Sequence, residues 1–179
     1  MGSPHNPAPV LPVVAVTHRP TIHPQEITNV LLALWDAPEW SRTETFQFDV
    51  FTTFYATEMG TKLVKWLVAL DCPMSPGELA RRKLQTNDTE LRWLDNAGHR
   101  QVNLDAGYLA IGSFVLASTK PAAHRIYLAD GIYAEITLIY ESGAYVPLRW
   151  TYPDFRQPMI TETLGTWRHR VLELSSAHH

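Results

Sequence analysis

Cysteine is nearly missing from this chain: Cys72 stands alone among 179 residues. No internal disulfide can form and no cysteine-built zinc site is possible, so a cytoplasmic setting is expected. Long apolar runs are missing as well. None approaches the roughly 18–20 residues that a membrane-crossing helix needs. The first residues show no charged segment leading into a long apolar block, so no secretory leader is expected either. Neither sign of charge dominates: 15 Lys and Arg stand against 18 Asp and Glu, for a net charge of −3. Without a broad positive field, nucleic acid is not expected as the main partner. The phosphate loop GxxxxGK[ST] and the Rossmann glycine fingerprint are absent; Gly107 and Gly112 have the loop's glycine spacing, but no Lys follows. No HxH, HExxH or clustered-carboxylate spacing announces a metal, and none is assigned.

What remains is an ordinary globular balance, 45% hydrophobic and 18% charged, with six Trp and seven Tyr available for a core or for stacking a flat ligand. One α+β domain is expected over residues 11–175, after a Pro-rich, disordered tail (1–10) and before a frayed terminus (176–179). The expected fold is a mostly antiparallel twisted sheet of five to six strands, with helices packed chiefly on one face. The opening strand–helix–strand unit leaves room for one parallel pair.

In order, residues 11–18 read as a buried strand, and Pro24 opens a helix carrying Ile27, Val30, Leu31 and Leu34 on one face. Residues 45–51 alternate as a strand. Tyr55, Met59, Leu63, Trp66, Leu67 and Leu70 recur at helical spacing, with Glu58 off the stripe and one turn before Lys62. Ser75-Pro76-Gly77-Glu78 has the capping-box pattern, Asn87 to Glu90 has the shape of a restart, and Arg81, Arg82 and Lys83 read as a solvated face. After a strand at 100–104, Asp105 reads as the cap of a helix through Leu109, Ile111, Phe114 and Val115, and Lys120 complements its C-terminal end. Asp130-Gly131 predicts a two-residue hairpin that pairs Leu128 with Tyr133 and Ile126 with Glu135. That register puts Ile132, Ala134, Ile136 and Leu138 on the core face, and His124, Glu135 and Thr137 together on an open one. Ser142-Gly143 makes a second turn, Pro147 marks an edge strand, and Ile160, Leu164, Trp167, Val171 and Leu174 mark a final helix.

The stretches NLDAGYL, LASTK, HRIYL, GIYAEITLIY and PLRWTYPDFR, with FYATEMG and ELARRKLQTN upstream, resemble the bacterial family known as domain of unknown function 4416. The likeness covers nearly the whole chain after the tail and implies no assigned reaction. One position departs: Ala106 follows Asp105 where the family's pattern has Pro. A GTP-binding label sometimes given to such relatives finds no phosphate loop here.

The polar residues of the C-terminal half form the candidate site. Lys120 and Arg125 are suited to hold a phosphate or carboxylate, Arg with its two-pronged fork. His124 beside Glu135 is a proton-transfer pair in which the carboxylate fixes the ring's tautomer. Tyr133 or Trp150 offers a stacking surface, and Asp105 completes the group. Each also has a structural reading as a cap or surface pair. The functional expectation is therefore binding, with or without turnover, of a small phosphorylated or nucleotide-like ligand. The competing expectation is a non-enzymatic interaction module that meets another protein or its own copy through the edge strand and Trp-rich surface.

Overall fold

A computed structural model describes residues 2–38 and 40–176. Its centre is β1 (Leu11–His18), in which all eight residues are buried. After the turn at Pro20, Pro24 starts α1 (Pro24–Trp35), with the His23 ring accepting from the Gln25 amide at the cap. The chain then lays down β2 (Trp40–Arg42), the two-residue β3 (Phe46–Gln47), the single turn α2 (Ala56–Met59) and β4 (Val64–Leu70). The Ser75/Glu78 capping box leads into α3 (Leu79–Glu90). Then follow β5 (Val102–Leu109), β6 (Ser113–Ser118), β7 (Arg125–Ala129), β8 (Ile132–Glu141), β9 (Ala144–Pro147), a 3-10 turn Pro153–Arg156 and α4 (Pro158–Ser176).

The class is α+β with an antiparallel sheet, as expected, but the sheet is larger. Nine strands run in the order β2-β4-β1-β5-β6-β8-β7, with β3 on β4 and β9 on β8. Every strand pairing is antiparallel, so the possible parallel pair is not formed. Alternation sorts the strands' side chains to two faces. Val14, Val16, Trp66, Val68, Leu104 and Ala106 meet Ile27, Leu31 and Trp35 of α1 on one face. Leu11, Val13, Ala15, Leu67 and Ala69 meet Ile160, Leu164, Trp167 and Val171 of α4 on the other. The sheet is covered on both faces near β1. Val10, assigned to the tail, is buried and bridges to Met74; residues 2–9 form no helix or strand. Ser176 ends α4, and the rest of the expected frayed terminus lies outside the described residues.

Two expected helices are strands. Residues 64–70 form β4, whose neighbours bury both of its faces, so the chain there is apolar almost throughout and mimics a helical stripe. Residues 102–118 form β5, a tight turn and β6. Asp105 therefore lies mid-strand rather than at a cap, and Lys120 follows a strand rather than a helix. α3 also runs unbroken through Asn87, so no restart occurs.

The feature that makes a site is a fork in the sheet. β5 and β6 pair only over Gly107–Leu116, Tyr108–Val115 and Leu109–Phe114, although β5 pairs with β1 along its whole length. Beyond Gly107 the two strands part, and α3 enters the gap. Its Leu79 and Ala80 pack on Val115, Ala117 and Ile132. Its Lys83 donates to the Leu104 carbonyl (2.9 Å), and its Glu90 accepts from the Leu104 amide (2.7 Å). Two side chains thus replace the strand partner that β5 has lost, which answers the requirement that buried backbone groups be satisfied.

Candidate functional site

Between the splayed strands lies a cavity of about 460 Å3. Its walls mix aromatic and charged residues. Six aromatic rings line it: Phe48, Phe51, Phe54 and Tyr55 from the segment after β3, Tyr152 just before the 3-10 turn and Phe155 within it. Around them lie Lys65 of β4, Lys83 and Glu90 of α3, Arg100, Asp105 of β5, Arg125 of β7, Glu135 of β8, Asp154 and, from the β6–β7 connection, Lys120.

These charges alternate in sign. Asp154 pairs with Lys65 at 2.6 Å, with both side chains 5% exposed. The Lys65 charge is also felt at Asp105, which pairs with Lys83 at 2.9 Å and accepts from the Asn103 amide at 2.8 Å. Burial works to raise the Asp105 pKa, but Lys83, Lys65 and the hydrogen bonds outweigh it, so the carboxyl is held below its ordinary value. Lys83 acts in turn on Glu90, whose pKa burial nevertheless raises. Arg100 pairs with Glu90 at 2.6 Å and grips Glu58 with two hydrogen bonds of 2.6 and 2.9 Å. Glu58 is held below its usual carboxylate range chiefly by its Arg100 hydrogen bond, and Lys120 adds to the effect. The series runs Asp154, Lys65, Asp105, Lys83, Glu90, Arg100, Glu58, Lys120. Burial also raises the pKa of the Tyr55 hydroxyl, with the Asp105 charge adding to the shift.

Glu135, 4% exposed, holds a second group together. Its Oε2 accepts from Arg125 Nε at 2.8 Å and meets His124 Nε2 at 3.1 Å. The expected hairpin register is corrected here. A bulge at Leu128 slips the arms by one residue, so Arg125 opposes Glu135 and Tyr127 opposes Tyr133. Ile126 opposes Ala134 and faces away from Glu135. The expected exposed face is also corrected: Glu135 and Thr137 are buried, while Ile136, assigned to the core, is 42% exposed. His124 still reaches Glu135 because it lies just beyond the slipped pair.

Of the residues singled out from sequence, Asp105, Lys120, Arg125 and Glu135 line the cavity. His124 is linked to it through Glu135, on the outer side. Trp150 stacks on His124 (5.3 Å between ring centres, 14° between planes) and donates to the Ile136 carbonyl at 2.8 Å, so it supports the imidazole. Tyr133 meets Tyr127 edge to face rather than lining the cavity. Lys83, read as solvated, is 5% exposed, and Glu58 pairs with Arg100 rather than Lys62. Lys65, Lys83, Glu90, Arg100, Asn103 and Asp154 escaped the sequence reading. Two signals pointed to them: a lysine inside the apolar run VKWLVAL, and Lys83, Asn87 and Glu90 at helical spacing beside Leu79. Among the described residues, no cluster of His, Cys, Asp and Glu is placed to hold a metal ion.

The family model described as Domain of unknown function (DUF4416) matches residues 8–170. The chain belongs to that family. The matched span contains every cavity-lining residue named above, so the fork and its charges lie within the DUF4416 domain. No curated protein and no solved structure matches the chain. Among the described residues, no helix is long and apolar enough to cross a membrane.

Proposed function

We propose that this DUF4416 domain binds a small ligand that joins a flat ring to an anionic group, a phosphorylated or nucleotide-like molecule, in the cavity of the sheet fork. One observation carries the reading: nine charged side chains and six aromatic rings converge on a single cavity. Ion pairs as buried as Lys65–Asp154 cost several kcal/mol per ion in desolvation, and apolar residues of similar volume often do as well or better for stability. Their retention around an opening at that cost supports a reading in which they act on something that enters it. The rings supply stacking area, and the charges supply directed hydrogen bonds. The His124–Glu135 pair adds a cavity-lining carboxylate in contact with an imidazole, the pairing that a proton transfer needs.

The test is a thermal-shift screen with nucleotides, sugar phosphates and aromatic carboxylates on the wild type and on Leu116→Trp. Leu116 lines the cavity, so an indole there fills it. A ligand at a hundredfold its Kd stabilises by about 2.7 kcal/mol, a shift of several degrees that Leu116→Trp abolishes. If no compound shifts the wild type, or the filled variant responds equally, the reading is wrong.

A second reading rests on a separate observation. The edge strand β7 and its neighbour expose Ile126 and Ile136 on one side of the sheet, an apolar pair that fits association with a second copy of the chain.

A further inference from the structure

Two places on the cavity wall keep unused hydrogen-bonding capacity, and they differ in kind. At Lys120 and Arg125 it is cationic. The Lys120 ammonium rests 3.9 Å from the centre of the Phe54 ring and makes no ion pair among the described residues. Arg125 spends Nε on Glu135 and Nη1 on the Lys120 carbonyl, and its Nη2 has no partner among the described residues. At Asp154 the capacity is a donor beside an acceptor. Oδ2 takes the Lys65 ammonium, while Oδ1 has no partner among the described residues, though the residue is only 4% exposed. Lys65 spends one N–H on that bond and lies 4.2 and 4.8 Å from the ring centres of Phe155 and Phe48. Oδ1 is not among the buried side-chain atoms left without a partner, so it opens to the cavity, where an acceptor beside a donor is available to whatever enters.

Resting on the ligand-binding reading above, we propose that the cavity takes a mononucleotide-like molecule. Its anionic group lies at Lys120 and Arg125. The edge of its heteroaromatic ring presents an N–H to Asp154 Oδ1 and an adjacent ring nitrogen or carbonyl to Lys65 Nζ. A plain aryl phosphate fills the ring space but leaves Asp154 and Lys65 unmatched; a sugar phosphate matches polar groups but gives the rings nothing flat to stack on. A site built to hydrogen-bond a polar edge discriminates strongly against an analogue that lacks it.

The experiment is calorimetric titration with the four ribonucleoside 5′-monophosphates, phenyl phosphate and ribose 5-phosphate. At least one nucleotide is expected to bind tenfold or more tightly than either comparison compound, about the worth of one well-placed hydrogen bond. Asp154→Asn puts a donor option where an acceptor is needed and unpairs Lys65; the nucleotide's advantage over phenyl phosphate, both measured on the variant, should vanish. The N-methylated form of the best nucleotide, with the ring donor blocked, tests the same contact on the unaltered protein and should lose the same advantage. Lys120→Ala should weaken all anionic probes by a common factor. Phenyl phosphate binding as tightly as every nucleotide overturns this assignment but leaves the cavity reading standing, as does binding of some other screened compound with none of these six. An N-methylated nucleotide that keeps full affinity also overturns it. If Leu116→Trp leaves binding intact, the cavity reading falls as well.

Discussion

His18 shows how one residue links burial to the protein's response to acid. It is 1% exposed, donates from Nδ1 to the Arg19 carbonyl at 2.8 Å and meets Trp66 edge to face. Its Nε2 is buried with no partner among the described residues, so a proton there would have no acceptor. Burial lowers its pKa from the ordinary 6.5. The folded chain thus binds this proton less readily than the unfolded chain. Stability is complete above the unfolded value of about 6.5 and declines as pH falls below it. The melting temperature of the wild type should drop between about pH 7.5 and pH 5.5, and His18→Phe should flatten the part of that drop due to this ring. Equal slopes for the two proteins would rule the residue out. Asp105 is the opposite case. Its lowered pKa makes its contribution complete above the carboxylate's ordinary 3.8 and lost only in stronger acid, so the two groups act in separable pH windows.

At the scale of elements, the fork depends on one glycine. A Cβ at Gly107 would run into the Val115 carbonyl oxygen and lie 2.7 Å from Leu116 Cδ2, so the two backbones can meet there only because the side chain is absent. Gly107→Ala should cost about 2 kcal/mol, in the usual range for overpacking, measured as a fall in the urea midpoint at unchanged slope. A neutral or stabilising result would mean that the strands are free to separate at that point. In the sequence this glycine stands out only by its spacing from Gly112, because DAGYLAIGSFVLAS also fits a helix. Elements with strong punctuation were legible: Pro24 and the Ser75 capping box for helices, Asp130-Gly131 and Ser142-Gly143 for hairpins, Pro147 for the edge. β4 was not, because a strand buried on both faces loses the alternation that identifies strands. The bulge at Leu128 was not legible either, since nothing in RIYLADG distinguishes a bulged arm from a straight one. The candidate site was half legible for the same reason. Its β6–β8 residues are near neighbours in sequence, whereas Lys65, Lys83 and Asp154 reach it through sheet order and a helix in a fork.

For the molecule as a whole, protection is uneven. β1 is paired along both sides and covered on both faces, whereas β7 pairs on one side only and ends the sheet. Ile126, at 68% exposed, and Ile136, at 42%, point to the same side of the sheet, since Ile126 opposes Ala134 and Ala134 precedes Ile136 by two. Two effects compete over what this edge does. An unpaired edge invites a further strand, but the bulge at Leu128 breaks the straight run that strand addition needs. Burying the Ile126–Ile136 side against its own copy needs no continuous ladder, and at about 25 cal/mol per Å2 of apolar surface it is the larger available gain. Sedimentation of the wild type should therefore show concentration-dependent self-association, and Ile126→Lys should remove it by placing a charge in the centre of the contact. Because Ile126 faces away from Glu135 and the cavity, the same substitution should leave any ligand-induced melting shift intact. A wild type that sediments as a monomer at every concentration reached would show that the bulge alone keeps this edge unpartnered; a lost ligand shift in Ile126→Lys would show that edge and cavity are coupled.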